Sequence, residues 1–307
     1  MDPIFSVIIP AFNEEEVITE SYKRLTQVMS GVGESYELIF VDDGSRDKTA
    51  SILAEICQKD KSVKCIRFSR NFGHMPAITA GMDYARGEAV LVIDADLQDP
   101  PELFPEMIAK WREGFDVVYG QRKERQGETA FKKWTAAMYY RFLRSMTQVE
   151  IPVDTGEFRL ISRKVCDAMR RLPEKNRYIR GLVSWVGFRQ TAVGYVREKR
   201  FAGQTKYPLT KMFKFAMDGI TAFSYKPLKW AAVLGGVISL LSFLYLAFAF
   251  CRWIFTSAAA PGWGGVVLFF QGIVLMAIGL MGEYIGRVFE ESKDRPIYIV
   301  QEVLNGD

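Results

Sequence analysis

Residues 89–101, AVLVIDADLQDPP, are the stretch of this sequence that decides its fold class. The run 90–93 is apolar and rich in β-branched residues, which is typical of a strand buried on both faces of a sheet. The run stops at Asp94, and a second carboxylate follows at Asp96. Because open α/β sheets bind ligands beyond the carboxyl ends of their strands, this pair predicts a site for a divalent cation that also holds a diphosphate. An Asp-rich turn without a ligand is the alternative, since Asp also favours turns.

Strand patterns alternate with helical patterns on both sides of this stretch. Strands are predicted at 5–10, 36–41, 63–68, 90–93, 116–119, 158–161 and 191–197. Helices are predicted between them, and the first two have Asn13 and Asp47 as their expected N-caps. Such alternation with short turns indicates an α/β fold, with a mostly parallel, Rossmann-like sheet covered by helices on both faces.

The last third of the chain has a different composition. Residues 230–251 carry no charge and have about the 20-residue length that a bilayer-spanning helix needs. A second apolar run, 265–285, follows a small polar loop, and the basic residues that flank the two runs predict that both ends are cytoplasmic. A buried helical hairpin is the alternative. We predict a catalytic domain at 1–205, an amphipathic interfacial segment at 206–228, two transmembrane helices at 229–287 and a cytoplasmic tail at 288–307.

Composition and charge exclude several classes of protein. The formal net charge of +4, without a long basic run, gives no indication of nucleic-acid binding. The four cysteines are scattered, and the single histidine, His74, argues against a histidine-ligated metal. No glycine-rich phosphate loop follows the first strand, which disfavours NAD binding and ATP hydrolysis. The N-terminus lacks the basic region of a signal peptide.

Carboxylates recur at the predicted ends of neighbouring strands. They are Glu14, Asp42, Asp43, Asp94 and Asp96. In a parallel sheet these strand ends converge on one crevice, where a carboxylate-bound metal assisted by arginines could hold phosphates.

Five motifs then follow one another in a fixed order. They are Pro10-x-Phe12-Asn13-Glu14, Asp42-Asp43-Gly44-Ser45, Asp94-Ala95-Asp96-Leu97-Gln98, Asp154-Thr155-Gly156-x-Phe158-Arg159 and Arg200-x-x-Gly203-x-Thr205-Lys206. Together they resemble the family 2 glycosyltransferases of the GT-A fold, and within them the polyprenyl-phosphate sugar synthases. The predicted two-span tail is similar to that of the bactoprenol glucosyltransferases.

This resemblance implies inverting transfer of one sugar from a nucleotide sugar to a polyprenyl phosphate. It implies donor-nucleotide contacts from Pro10, Phe12, Glu14, Val41, Asp43, Asp94 and Ala95. It implies a Mg²⁺ or Mn²⁺ ion on Asp94, Asp96 and Gln98, and phosphate contacts from Arg122, Arg200 and Lys206. Asp96, Asp154 and Arg200 are the expected catalytic residues, with a structural turn as the alternative for Asp154.

UDP-glucose is the favoured donor and undecaprenyl phosphate the expected acceptor at the inner membrane. The small residues Gly235 and Gly236 would suit packing of the membrane helices into a homo-oligomer. Two alternatives stay open at this stage. One is a processive polysaccharide synthase, although the chain lacks a Gln-x-x-Arg-Trp motif. The other is an inactive membrane scaffold that binds nucleotide sugars.

Overall fold

The structure is a computed structural model that describes residues 2–124, 152, 155–196, 264–306 and separate positions between 228 and 252. The chain forms two compact units. The first contains residues 1–144, 149–215 and 296–307, and the second contains residues 145–148 and 216–295.

The first unit is built on an eight-stranded sheet in the order β7-β5-β6-β4-β1-β2-β3-β8. The strands are β1 (Phe5–Ala11), β2 (Tyr36–Asp42), β3 (Val63–Phe68), β4 (Ala89–Val92), β5 (Val117–Glu124), β6 (Thr155–Ser162), β7 (Gln190–Val196) and β8 (Val300–Leu304). The β4-β1-β2-β3 block is parallel, β5 and β7 are parallel to each other, and β6 and β8 run antiparallel to their neighbours. This confirms the predicted mostly parallel α/β sheet.

Helices connect the parallel strands and cover a core of fully buried side chains. The helices of this unit are α1 (Ile18–Val32), α2 (Thr49–Lys59), α3 (His74–Tyr84), α4 (Phe104–Arg112), α5 (Arg163–Arg170) and α6 (Ile179–Trp185). Phe5, Phe40 and Phe104 are among the side chains with no exposed surface. Burial of such aromatic side chains is the main stabilising term for a sheet of this kind.

The first helix begins later than the sequence predicts. Asn13 was expected to cap it, but α1 begins at Ile18. Asn13 has a φ of 54°, in the left-handed region that asparagine tolerates. Its side-chain Oδ1 accepts a hydrogen bond from Arg46 N (2.8 Å). The capping prediction for Asn13 is therefore wrong, because its side chain forms a hydrogen bond with the loop after β2 instead. Asp47 does form a hydrogen bond with the first residue of α2, because its Oδ1 accepts from Thr49 N (3.0 Å).

The chain after the apolar region returns to the sheet. The sequence pattern predicted only a cytoplasmic tail at 288–307, without a strand in it. β8 pairs antiparallel with β3, and Ser69 N donates to Ile299 O (3.0 Å). The Tyr298 ring stacks on Phe68 with centroids 5.0 Å apart, and its hydroxyl donates to Asp83 Oδ2 (2.8 Å). The last residues are thus a structural part of the first unit.

The second unit contains the long helix α7 (Gly264–Ser292). Residues 270–292 of this helix are long and apolar enough to cross a membrane, with a mean hydropathy of 1.5 and none of the apolar window buried. The predicted first span, 230–251, lies mostly outside the described residues, and so does nearly all of the segment 206–228. The expected hairpin is therefore supported only in its second helix.

We predict that Asn305 secures the end of the tail. Its Nδ2 donates to Cys57 O (2.7 Å), Val63 O (2.8 Å) and Asp60 O (3.3 Å). Asn305→Ala should lower the free energy of unfolding by about 1–2 kcal/mol, because carbonyl groups lose their donor. Thermal unfolding of the full chain in detergent, followed by hydrogen exchange at β3, measures the loss. The exposed neighbour Gln301 provides the control Gln301→Ala, and equal stability of the two variants would contradict the role of Asn305.

Candidate functional site

Pairing of the parallel strands brings the acidic motifs to one edge of the sheet. Ala11 is the register partner of Asp42, and Ile8 is the partner of Val92. The pairing continues one residue beyond the strands, where Asp43 N donates to Ala11 O (2.9 Å) and Ile93 N donates to Ile8 O (3.1 Å). The chain order reverses between β1 and β4, which is where open α/β sheets form their ligand crevice.

The loops after β1 and β2 are joined to each other by hydrogen bonds. Asn13 N donates to Ser45 Oγ (2.9 Å), and Glu14 N donates to Thr49 Oγ1 (2.8 Å). Farther along, Lys48 N donates to Glu15 Oε2 (3.0 Å). These contacts fix the main chain of Glu14, a predicted nucleoside contact, at the rim of the crevice.

Asp43, another predicted nucleoside contact, holds the loop before α3. Its carboxylate accepts hydrogen bonds from Phe72 N (2.7 Å), Gly73 N (2.9 Å) and Asn71 Nδ2 (2.8 Å). Burial raises the pKa of Asp43, and the two backbone donors oppose that rise. Gly44 lets the two loops meet, because a Cβ there would lie 2.5 Å from the main-chain carbon of Arg70. The described contacts of Asp43 are therefore structural, and its role toward a nucleoside stays a prediction.

Asp94 is the first carboxylate that follows β4. Its Oδ1 is buried and makes no hydrogen bond within the described part of the chain. His74 Nε2 lies 3.4 Å from that oxygen. Burial raises the pKa of Asp94 above its ordinary value, His74 opposes the rise, and the charges of Asp99, Asp96 and Glu157 add to it. A carboxylate in this condition has a strong attraction for a cationic ligand.

The turn after Asp94 gathers two further carboxylates. Asp96 and Asp99 are both buried, and Asp96 Oδ1 accepts a hydrogen bond from Gln98 N (3.1 Å). Leu97 has a φ of 58°, a conformation that a leucine adopts rarely and that tends to occur at functional sites. The turn follows β4, so Asp94 and Asp96 both lie beyond the carboxyl end of that strand.

The donor chemistry of this turn fits a divalent cation. Within the described residues no group of three or more His, Cys, Asp or Glu side chains could hold a metal ion by itself. Mg²⁺, however, is commonly bound by one or two carboxylates together with substrate phosphates and water. The unbonded oxygen of Asp94 and the carboxylate of Asp96 provide hard ligands of that kind, while the assignment of Gln98 stays a prediction.

Strand β6 adds a buried ion cluster to the same edge. Glu157 is 4% exposed, and it pairs with Arg159 Nη2 (3.2 Å) and Arg180 Nε (2.5 Å). Although burial opposes ionisation, the two arginines hold the pKa of Glu157 below its ordinary value. Because β6 is antiparallel to β4, the beginning of β6 lies at the carboxyl end of β4.

Arg122, the predicted phosphate contact on β5, lies against β6 and β7. Its Nε is 3.4 Å from Tyr195 Oη, and its Nη2 would lie 3.0 Å from a Cβ on Gly156. Tyr195 in turn donates a hydrogen bond to Asp99. The arginine is therefore joined to the acidic turn through one tyrosine.

The remaining predicted site residues are placed as follows. Pro10, Val41 and Ala95 are buried, Phe12 is half-buried, and Pro10 and Val41 are register partners in β1 and β2. Asp154, Arg200 and Lys206 lie outside the described residues.

Sequence reasoning assigned no role in the site to four side chains that the fold brings there: His74, Asp99, Glu157 and Tyr195. Two of them stand inside quoted stretches, since Asp99 belongs to the opening run and Glu157 to the motif that begins at Asp154. His74 does begin a helix, as expected, but its ring also reaches Asp94. Tyr195 is more than 90 residues from Asp99, so no local pattern connects them.

An α/β sheet with carboxylates at its topological switch point provides a ligand crevice, and comparison with known proteins identifies the family. The model of glycosyl transferase family 2 matches residues 6–170. The chain belongs to this family of sugar-transferring enzymes, which confirms the GT-A-type fold expected from the motifs.

Two relatives match over nearly their whole length. The uncharacterized glycosyltransferase YkcC of Bacillus subtilis is 58% identical over 97% of this chain and 93% of its own. The bactoprenol glucosyl transferase of Shigella phage SfV is 39% identical over 96% of this chain and 97% of its own. Among solved structures, S. aureus TarS 1–349 in complex with UDP-GlcNAc aligns with a TM-score of 0.47 at 17% identity, over 72% of this chain and 66% of that one.

We predict that removal of the Glu157 charge destabilises the site. Glu157→Gln would leave the buried Arg159 without its partner and should lower the free energy of unfolding by about 3 kcal/mol at pH 7. Since the pKa of Glu157 is lowered in the folded chain, the stabilisation is present above the ordinary pKa and is lost as the pH falls through the lowered one.

Urea unfolding of the wild type and of Glu157→Gln at several pH values measures the difference between their free energies of unfolding. It should shrink toward acid pH. The exposed pair of Lys110 and Glu113 supplies the control Glu113→Gln, which should change stability by less than about 0.5 kcal/mol. A difference between Glu157→Gln and the wild type that does not depend on pH would refute the charge argument.

Proposed function

We propose that this enzyme transfers one glucose from UDP-glucose to a polyprenyl phosphate, with inversion at the anomeric carbon and release of UDP. The observation that carries the proposal is the full-length match to a protein named bactoprenol glucosyl transferase, which includes the region after the family domain. A second observation supports it. The crevice offers carboxylates and an arginine, which are the groups that can hold a metal-bound diphosphate.

The donor would lie across the switch point between β1 and β4. Asp94 and Asp96 would hold the divalent cation, and Arg122 would bind a diphosphate oxygen through its terminal guanidinium nitrogens. The cation, when bound, supplies positive charge against the charge that develops on the departing diphosphate. The nucleoside would contact the loops that follow β1 and β2, including Phe12, Glu14 and Asp43.

The acceptor chemistry requires little proton transfer. An oxygen of the lipid phosphate attacks the anomeric carbon, a new carbon–oxygen bond forms, and the bond to the diphosphate breaks with its electron pair leaving on UDP. A phosphate monoester has a second pKa of about 6, so the attacking oxygen is already ionised near neutral pH. Asp154 would orient the acceptor, and Arg200 and Lys206 would bind its phosphate.

The transfer itself is the direct test. The purified full chain is incubated with radiolabelled UDP-glucose, undecaprenyl phosphate and Mg²⁺ or Mn²⁺. We expect labelled glucose to enter the organic phase in proportion to released UDP. UDP-GlcNAc and GDP-mannose serve as parallel donors. Absence of lipid-linked label with UDP-glucose would refute glucose transfer, and absence with all three donors would refute transfer to a polyprenyl phosphate.

Asp96→Asn tests the role of the carboxylate pair. The substitution preserves size but removes a charge, and it should lower kcat by about 100-fold or more, since such charge stabilisation is worth several kcal/mol. Asp116→Asn is a matched control. Asp116 is also a buried carboxylate, but it directly precedes β5, at the edge of the sheet opposite the crevice, and it pairs with Lys164 (2.6 Å). Thermal unfolding verifies that both variants fold, and an active Asp96→Asn enzyme would contradict the assignment.

The chain connectivity supports a two-pass membrane anchor. Residues up to 196 and residues 300–304 belong to the same sheet, because β8 pairs with β3. One folded sheet lies on one side of a bilayer, so the chain between 197 and 299 must cross an even number of times. If α7 is one crossing, the predicted helix at 230–251 is the natural second one. Both ends of the anchor and the catalytic domain would then lie on one side of the membrane, and the basic residues that flank the two apolar runs favour the cytoplasmic side.

Reporter fusions in a bacterial inner membrane test this topology. Green fluorescent protein fused after Asp307 should fluoresce, and alkaline phosphatase inserted in the loop 256–264 should be active. These outcomes correspond to a cytoplasmic C-terminus and a periplasmic loop. An active phosphatase fused after Asp307 would place the C-terminus in the periplasm and would contradict the proposed topology.

A further inference from the structure

The side chain of Arg122 is held from two neighbouring strands. Its Nε lies 3.4 Å from Tyr195 Oη, and Tyr195 is its register partner on β7. On the other side, its Nη2 lies where only a glycine leaves space, since a Cβ on Gly156 would approach to 3.0 Å. The Nε–H is thus directed at the tyrosine, and in the part of the chain that the structure describes the two terminal nitrogens have no hydrogen bond that would prevent them from binding a ligand.

The hydroxyl group of Tyr195 has a defined direction. It donates to the Asp99 carboxylate, which is 1% exposed, and therefore offers its own lone pair to Arg122 Nε. Burial and the charge of Asp99 raise the pKa of Tyr195, so the phenol stays protonated at physiological pH. Arg122 therefore donates to Tyr195, and Tyr195 donates to Asp99, which is the final acceptor.

The ring of Tyr195 is also fixed in place. It packs edge-on against Phe158, with centroids 5.6 Å apart, and only 4% of the residue is exposed. Gly120, two residues before Arg122 on the same face of β5, provides the space. A Cβ there would lie 2.9 Å from Tyr195 Cε1 and 2.5 Å from Phe158 Cδ1.

We propose that Tyr195 is a positioning residue for donor binding, acting through Arg122. A free arginine side chain loses considerable rotamer entropy when it binds a phosphate, and a side chain that is already oriented loses less. By engaging Nε, Tyr195 turns the terminal guanidinium nitrogens toward the crevice, where they can bind the diphosphate. This inference rests on the proposed function, in which Arg122 contacts the donor phosphates.

The experiment is a double-mutant cycle on UDP binding, measured by titration calorimetry of the full chain in detergent with Mg²⁺. Tyr195→Phe keeps the ring and removes the hydroxyl, and it should weaken UDP binding about 3- to 10-fold. Arg122→Ala should weaken binding by about 10-fold or more, because a charge-assisted contact is lost. In the Arg122→Ala background, Tyr195→Phe should produce no further loss. Additive losses would overturn the proposal.

Kinetics supply a readout that a purely structural role would not move. Tyr195→Phe should raise KM for UDP-glucose and leave KM for undecaprenyl phosphate unchanged. Tyr22→Phe is the matched control, because Tyr22 Oη also donates to a carboxylate, Asp60 Oδ2 (2.9 Å), but lies on α1. It should leave UDP binding unchanged. A Tyr195→Phe chain that fails to fold would also overturn the proposal, since the hydroxyl would then serve folding.

The cycle separates failure of this inference from failure of the proposed function. If the wild type binds neither UDP nor UDP-glucose, the proposed function fails, and the inference fails with it. If Arg122→Ala weakens UDP binding and Tyr195→Phe does not, only the inference fails.

Discussion

Negative charge gathered at one edge of the sheet, most of it on buried side chains, is the constraint on which the rest of this structure depends. The carboxylates concerned are Asp43, Asp94, Asp96, Asp99 and Glu157. A buried charge is tolerated only when it is paired or hydrogen-bonded, so each buried carboxylate requires a donor or a cationic side chain next to it. Asp43 accepts hydrogen bonds from the loop before α3, and Glu157 forms ion pairs with two arginines. Asp99 accepts a hydrogen bond from the hydroxyl group of Tyr195.

Asp94 is the exception that points to function. Its buried Oδ1 makes no hydrogen bond within the described residues, and neighbouring acidic groups add to the burial that raises its pKa. Such an arrangement does not stabilise the fold, and a carboxylate oxygen without a hydrogen bond among the described residues is available to interact with a ligand. The proposed cation, shared between these carboxylates and a diphosphate, would reduce the repulsion and would link ligand binding to charge balance in this crevice.

The reversed strand β6 determines what faces this charge. A strand parallel to β4 would bring its last residues to the crevice, whereas antiparallel β6 brings its first residues there. Gly156 and Glu157 stand in these first positions, the glycine leaving room for Arg122 and the glutamate adding its ion cluster. At the opposite edge of the sheet, β8 joins the residues after α7 to the same unit as the residues before the apolar region. Sheet topology thus controls both the composition of the site and the return of the chain to the sheet after α7.

The sequence by itself determined the α/β alternation, the parallel core strands and the gathering of the acidic motifs. These features depend on local signals, namely apolar runs, turns and short motifs, and the register of parallel strands then carries Asp43 and Asp94 to the same edge. The tertiary structure alone decided that Asn13 would fasten a loop instead of capping a helix, that residues 300–304 would complete the sheet, and that Tyr195 would join Asp99 to Arg122. Each of these outcomes depends on partners far apart in the chain, and no local pattern specifies a contact whose stability comes from packing and burial between distant segments.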